Sequence, residues 1–341
     1  MTPVWIGITG ASGYIGRAVV ARALQQGCEV VTIGRRGVAG LAHRHADLRE
    51  DPAPDLLKGL DAVIHLAADT GGGGELVAAE IRFAHALASA SQRAGLRLLV
   101  VSSQAASPNA PSHYGRTKAA IEERVLAHGA SVLRPGLVYG GAESGLFGTL
   151  VGLVRRIPLL PDLRPRPQVQ PIHVDDLAEG LVAATIRNHL PGQVRCVAGA
   201  PMTFVEFLAA IARYRVGRRR VRVPVPLATL RIALAGLSRL LGPTLGPERL
   251  DSLTRLPPMD CATDLGLLEI RLRPLPDGLS RSGRATRRML WEGRALMHGF
   301  LGRGPSRWLA RRYVHALQQH GQHGALDLPR RALAWPSLIA A

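Results

Sequence analysis

A chain of 341 residues, 47% of them hydrophobic, is long enough to bury a sizeable core and too apolar to be disordered. Its 43 basic residues against 25 acidic ones leave a formal charge of +18, which points to an acidic partner such as a nucleotide, a nucleic acid or an anionic membrane. Three cysteines (Cys28, Cys196, Cys261) with no Cys-x-x-Cys pair argue for a reducing compartment and against structural zinc.

In chain order, Val4 to Thr9 is apolar and β-branched, as a buried parallel strand should be. Gly10, Gly13 and Gly16 follow at a spacing of three, and Arg17 to Gln26 then carries the apolar spacing of a helix. Strand, glycine turn and helix in that order suit a pyrophosphate. Gly10 permits the tight turn, Gly13 lets backbone N–H groups approach the phosphates, and Gly16 lets helix and strand pack closely, with the helix N-terminus facing the negative charge.

The alternation continues. Glu29 to Ile33, Asp61 to Ala68, Arg97 to Ser103, Ala130 to Val138 and Val194 to Val197 read as strands, and Leu76 to Ala94 as a helix. This predicts an α/β chain built on a Rossmann doubly wound parallel sheet, with its ligand at the carboxyl ends of the strands. Gly71 to Gly74 interrupts the pattern with a flexible loop. Between Gly141 and Pro171 the sheet pattern lapses, so a smaller discontinuous substrate domain is expected from 143–170 and 201–284. The dinucleotide domain then takes 1–142 and 171–200. Thr203 and Glu206 fit a capping box.

The sharpest chemical signal is Tyr114-x-x-x-Lys118, since residues four apart on a helix share one face. A phenol is a poor base at neutral pH, and a neighbouring ammonium favours the phenolate. The same ammonium reaches the hydroxyls of a nicotinamide ribose, and the tyrosine relays a proton to or from a carbinol oxygen. Only two lysines, Lys58 and Lys118, stand among 43 basic residues, leaving 43 − 2 = 41 arginines, so a retained lysine hints that an amine is wanted.

With Thr9 to Gly16, Ser102-Ser103, Tyr114 to Lys118, Leu133 to Gly140 and Ile172 to Ala178 in view, the chain resembles the extended short-chain dehydrogenase/reductases, the NAD-dependent epimerase/dehydratase group. The resemblance implies Tyr114 as proton donor or acceptor, Lys118 as the ribose-binding cation and Ser103 as the hydroxyl that orients the substrate oxygen. It also implies cofactor contacts at Gly10, Ser12, Gly13, Tyr14, Ile15 and Gly16, at Ala67 and Ala68, at Pro135, and at Asp47 and Leu48 beside the adenine. The expected reaction is hydride transfer at a carbinol or ketone, with a nucleotide-sugar the first substrate class and a steroid- or terpenoid-like alcohol the second. A non-catalytic nucleotide-binding subunit is the rival from another class.

Two departures narrow the chemistry. Gln104-Ala105 stands where family dehydratases carry an acidic pair, and Glu80 stands where the helix commonly has Asn. The second strand ends Ile33-Gly34-Arg35-Arg36 without the acid that an NAD ribose hydroxyl wants, so Arg35 and Arg36 point to NADP, with NAD as the alternative. No metal site is expected, His320-x-x-His323 lacking further ligands.

Residues 285–341 read as a basic helical extension, with Trp291 and Trp308 beside arginines. It suits packing on the domain, a homodimer contact, or the surface of an anionic membrane together with the apolar stretch Val225 to Leu241. No motif for sequence-specific nucleic-acid binding accompanies the charge. The absence of a signal peptide and of an uncharged apolar stretch of about 18 residues predicts a cytoplasmic protein, at most peripheral on the inner face of a membrane.

Overall fold

The computed structural model describes residues 3–68, 74–187, 192–229, 254–301 and 306–319. Several sequence expectations lie outside these in whole or in part: the glycines 71–73, most of Val225 to Leu241 and with it residues 230–253 of the expected substrate domain, His320 with His323, and residues 302–305 and 320–341 of the expected extension.

The elements run β1 (Trp5–Thr9), α1 (Tyr14–Gln25), β2 (Glu29–Gly34), β3 (Ala42–His45), β4 (Ala62–His65), α2 (Gly74–Arg93), β5 (Arg97–Val101), α3 (His113–Leu126) and β6 (Ser131–Pro135). There follow β7 (Leu137–Tyr139), α4 (Gly145–Arg156), β8 (Leu159–Arg164), β9 (Gln168–Val169), β10 (Pro171–His173), α5 (Val174–Arg187), β11 (Val194–Val197), β12 (Met202–Thr203), α6 (Phe204–Ala210) and β13 (Val221–Pro226). A π-helical turn, Ile211–Val216, continues α6, and helices Ala262–Leu267, Leu275–Leu301 and Arg307–Gln319 come last.

Seven strands form one parallel sheet in the order β11-β6-β5-β4-β1-β2-β3. Its inner strands, β1, β2, β4, β5 and β6, are buried on both faces, which is why they read as largely continuous apolar runs rather than alternating ones, while the edge strand β3 is mostly exposed. Successive residues still point to opposite layers. Leu99 and Val101 join Ile6, Ile8, Val19 and Leu181 on one face, while Leu98 and Val100 join Val63, Phe83, Leu87 and Ile121 on the other. All strands run the same way, so their carboxyl ends share one edge, and the chain winds outward in both directions from the gap between β1 and β4. This is the crevice in which doubly wound sheets take their ligands.

The stretch after Gly141 is more ordered than its sequence pattern suggests. Strand β8 pairs in parallel with β13, and α4, α6 and the π-turn close over them. Phe147, Val151, Leu160, Phe207, Ile211 and Leu279 form a core separate from those of the sheet. Tyr139 plugs its base, edge-on to Phe147 and Phe207 at 6.3 and 5.9 Å. Thr203 and Glu206 make the expected capping box at the start of α6.

The expected boundary at residue 285 falls inside the helix Leu275–Leu301, which packs on the π-turn and α6. Its first turn belongs to the second lobe, because Gly278 lies where a Cβ would stand 2.7 Å from the Tyr139 hydroxyl. Likewise Val225 and Pro226 belong to β13 rather than to a helix.

Candidate active site

The glycine turn leaves β1 as the sequence predicts. Gly10 has φ +67°, and Gly13 donates its N–H to the Gly10 carbonyl at 2.9 Å. A Cβ on Gly16 would stand 2.1 Å from that same carbonyl, so only glycine lets α1 start so close to the strand. This is a cradle of the shape a pyrophosphate needs, at the N-terminus of a 12-residue helix with no acid in its first turn. Ser12 and Gly13 are exposed, whereas Tyr14 and Ile15 are half-buried. The Tyr14 hydroxyl donates to the Gly140 carbonyl at 2.6 Å, tying α1 to the chain just after β7. Burial pushes that phenol's pKa up.

The sheet order sets the remaining candidates side by side along the carboxyl edge. Asp47 and Leu48 follow β3, Arg35 and Arg36 follow β2, the glycine turn follows β1, Ala67 and Ala68 follow β4, Ser103 follows β5, and Pro135 ends β6. Arg35 and Arg36 are exposed. The Asp47 carboxylate accepts the Arg49 N–H at 3.1 Å. Thr9 links two of these ends, its hydroxyl accepting from Leu66 and Ala67 N–H at 3.0 and 3.1 Å.

Helix α3 brings Tyr114 and Lys118 to that edge. Ser112 caps it by accepting the Gly115 N–H at 3.2 Å. Tyr114, in the first turn, is 36% exposed, while Lys118, one turn on, is 3% exposed with its Nζ 5.9 Å from the Tyr114 ring centre. Beside it, α2 packs on α3 and delivers Glu80, 2% exposed, whose Oε1 accepts from Lys118 Nζ at 3.3 Å. A carboxylate at this position thus meets the one buried lysine among the described residues. His65, wholly buried at the end of β4, is held neutral: burial first and Lys118 second push its pKa down to about 3. Its Nδ1 bonds the Thr9 hydroxyl at 2.9 Å.

Ser103 is half-buried and accepts the Ala105 N–H at 3.2 Å, whereas Ser102 is buried. Two features of this loop escaped the sequence reading. A Cβ on Gly115 would stand 2.4 Å from the Ala105 carbonyl, so the loop after Ser103 rests on the first turn of α3. Gln104 turns inward, donating to Gln170 Oε1 at 3.1 Å and to the Pro257 carbonyl at 2.8 Å, and Gln170 in turn bonds the Met259 backbone. The two amides pin segment 257–259 beside the site. No local pattern could signal contacts between residues so distant in the chain.

The Ile172-His173-Val174-Asp175-Asp176 stretch works as a joint between lobes. Asp176 accepts from Arg273 Nε at 2.6 Å and from its backbone N–H at 2.9 Å, and His173 lies edge-on to Tyr139 at 5.3 Å. Among the described residues no group of three or more His, Cys, Asp or Glu is arranged to hold a metal ion.

The sequence pattern of the NAD dependent epimerase/dehydratase family matches residues 6–194, more than half of the chain. The chain belongs to this family. It is 36% identical over 192 residues to the ceramide reductase of Caulobacter vibrioides, a match covering 52% of this chain and 60% of that protein. It is 29% identical over 128 residues to the mitochondrial NADH dehydrogenase [ubiquinone] 1 alpha subcomplex subunit 9 of Dictyostelium discoideum, covering 37% and 36% of the two. In each case the match spans less than two thirds of the curated relative. Among solved structures, MoeE5 in complex with UDP-glucose and NAD aligns with TM-score 0.62 at 22% identity, over 84% of this chain and 99% of that one. The UDP-N-acetylglucosamine 4-epimerase of Bacillus cereus aligns with TM-score 0.60 at 17% identity, over 81% and 97%. Similarity at that identity establishes the shared fold. Family membership and the shared fold are what these similarities establish.

Proposed function

We propose that the chain transfers hydride between NADPH and a ketone or carbinol carbon of a lipid-like substrate. The observation that carries the catalytic half is the exposed Tyr114 backed by the buried Lys118–Glu80 pair at the carboxyl edge of the sheet. The exposed phenol can give a proton to a ketone oxygen, or take one from a carbinol. Lys118 lies behind it, within reach of a ribose seated between the glycine turn and α3. Ser103 offers a hydroxyl to the same substrate oxygen. The nicotinamide, when bound, supplies or accepts the hydride. The Gly10–Gly16 cradle holds the pyrophosphate, Asp47 and Leu48 flank the adenine, Ala67, Ala68 and Pro135 line the path between, and Arg35 and Arg36 pair with a 2′-phosphate.

The substrate half rests on two supports. The relative at 36% identity is named a reductase of a lipid. Gln104, where an acid would assist elimination of water, is committed to Gln170 and Pro257, so reduction or oxidation without dehydration fits the loop. The similarity to a subunit of NADH dehydrogenase supports the second reading, a nucleotide-binding subunit without turnover.

The test is NADPH consumption against long-chain keto lipids in mixed micelles, with UDP-glucose epimerisation as the comparison. Turnover of the keto lipid, reduced roughly 10²-fold or more in Tyr114→Phe with NADPH affinity intact, is the expected result. Turnover of UDP-glucose alone assigns a nucleotide-sugar. NADPH binding with no turnover on any carbonyl leaves the subunit reading.

A further inference from the structure

The helices Leu275–Leu301 and Arg307–Gln319 pack on each other, and the first also packs on the π-turn Ile211–Val216. Met289, Glu292 and Ala295 are buried on the first helix, Ala310 and Val314 on the second, and Tyr313 lies against Gly293. This arrangement leaves the tryptophans outside, with Leu309 beside Trp308 also exposed. Trp291 is 67% exposed and Trp308 is 63% exposed, although tryptophan is on average a largely buried residue. Arg294, one turn from Trp291, is exposed, as are Arg311 and Arg312, one turn from Trp308, and Arg312 stands over the Trp308 ring at 4.8 Å. Residues 281–319 contain nine arginines and one acid, Glu292, which is 0% exposed. Arg213, Arg218 and Arg219, on and just after the π-turn, extend the basic character.

We propose that this surface docks on an anionic phospholipid bilayer, with Trp291 and Trp308 seated at headgroup depth and the neighbouring arginines on lipid phosphates. Indole is apolar in body and polar at its N–H, which suits it to the water–hydrocarbon boundary. Guanidinium binds phosphate through paired N–H groups. Exposed indole and guanidinium with no exposed carboxylate among them is the chemistry of an interfacial anchor. It is not a span: no described helix is long and apolar enough to cross a membrane. A nucleic acid would meet the same arginines, but no recognition motif accompanies them.

The experiment uses the full chain, without substrate, so its outcome is independent of the proposed reaction. Vesicles of phosphatidylcholine alone are compared with vesicles in which about a third of the lipid is phosphatidylglycerol, some carrying brominated acyl chains. The protein should sediment with the anionic vesicles only, come off in high salt, and lose tryptophan fluorescence to the brominated lipid. Joint Trp291→Ala and Trp308→Ala should weaken partition at least about tenfold and remove the bromine quenching, with an unchanged melting temperature. Arg311→Gln with Arg312→Gln should weaken binding and flatten its salt dependence. Failure to sediment with anionic vesicles at low salt overturns the proposal. So does undiminished binding by the tryptophan variant, or complete displacement from the vesicles by a short oligonucleotide.

Discussion

At the scale of single residues, the Lys118–Glu80 pair decides how the site can be dissected. Both side chains are at most 4% exposed, so each charge depends on the other for compensation. Removing one partner of a buried pair typically costs about 3–5 kcal/mol, whereas replacing both with apolar side chains is often nearly neutral. Lys118→Met is therefore expected to lower unfolding free energy by about 3 kcal/mol or more, and Lys118→Met with Glu80→Leu to recover most of it while cofactor affinity stays lost. Denaturant unfolding beside cofactor titration checks this. A Lys118→Met cost of only about 0.5 kcal/mol would mean the pair behaves as a solvated one. The family's asparagine could not compensate the ammonium in this way, so the acid at Glu80 is a property of this chain's site rather than a neutral exchange.

At the scale of elements, the approach of α1 to β1 is set by what is missing from Gly16. Its Cβ would lie 2.1 Å from the Gly10 carbonyl and 2.8 Å from Ala11 Cα, both backbone and unable to yield as a side chain would. Gly16→Ala should push the helix off the strand at a cost of about 1–3 kcal/mol and abolish measurable binding of either nicotinamide cofactor. Thermal unfolding and fluorescence titration read the two effects separately. An alanine variant that binds cofactor normally would show that the helix start tolerates a shift. Gly115 obeys the same logic against Ala105, which explains why a glycine follows Tyr114.

At the scale of the whole molecule, a ligand that binds only the folded chain raises its stability by RT ln(1 + [L]/Kd), about 2.7 kcal/mol at a hundredfold excess over Kd. Because β2 is followed by exposed Arg35 and Arg36 with no acid, NADPH should raise the melting temperature by several degrees more than NADH at equal concentration. Arg35→Ala with Arg36→Ala should erase the difference and leave the NADH response in place. A larger NADH shift in the unsubstituted protein would return the choice to NAD.

What the sequence determined by itself is what local rules govern. The strand–glycine–helix opening, the helical Tyr114–Lys118 spacing and the Thr203–Glu206 cap each depend on residues a few positions apart, and each is found where the pattern placed it, while the fifth strand stops at Val101, just short of its expected hydroxyls Ser102 and Ser103. The parallel sheet followed as well, because strands buried on both faces must be apolar throughout. Only the tertiary structure decided the rest. Packing of α2 on α3 joined Glu80 to Lys118. Gln104 found Gln170 and the backbone at Pro257, and Cys196 came to donate to the Asp260 carbonyl at 3.3 Å, burial pushing its thiol up to about 12. The same packing swallowed the expected tail boundary into one helix and turned its tryptophans outward. Such contacts join residues through folded space, where neither periodicity nor spacing along the chain carries information.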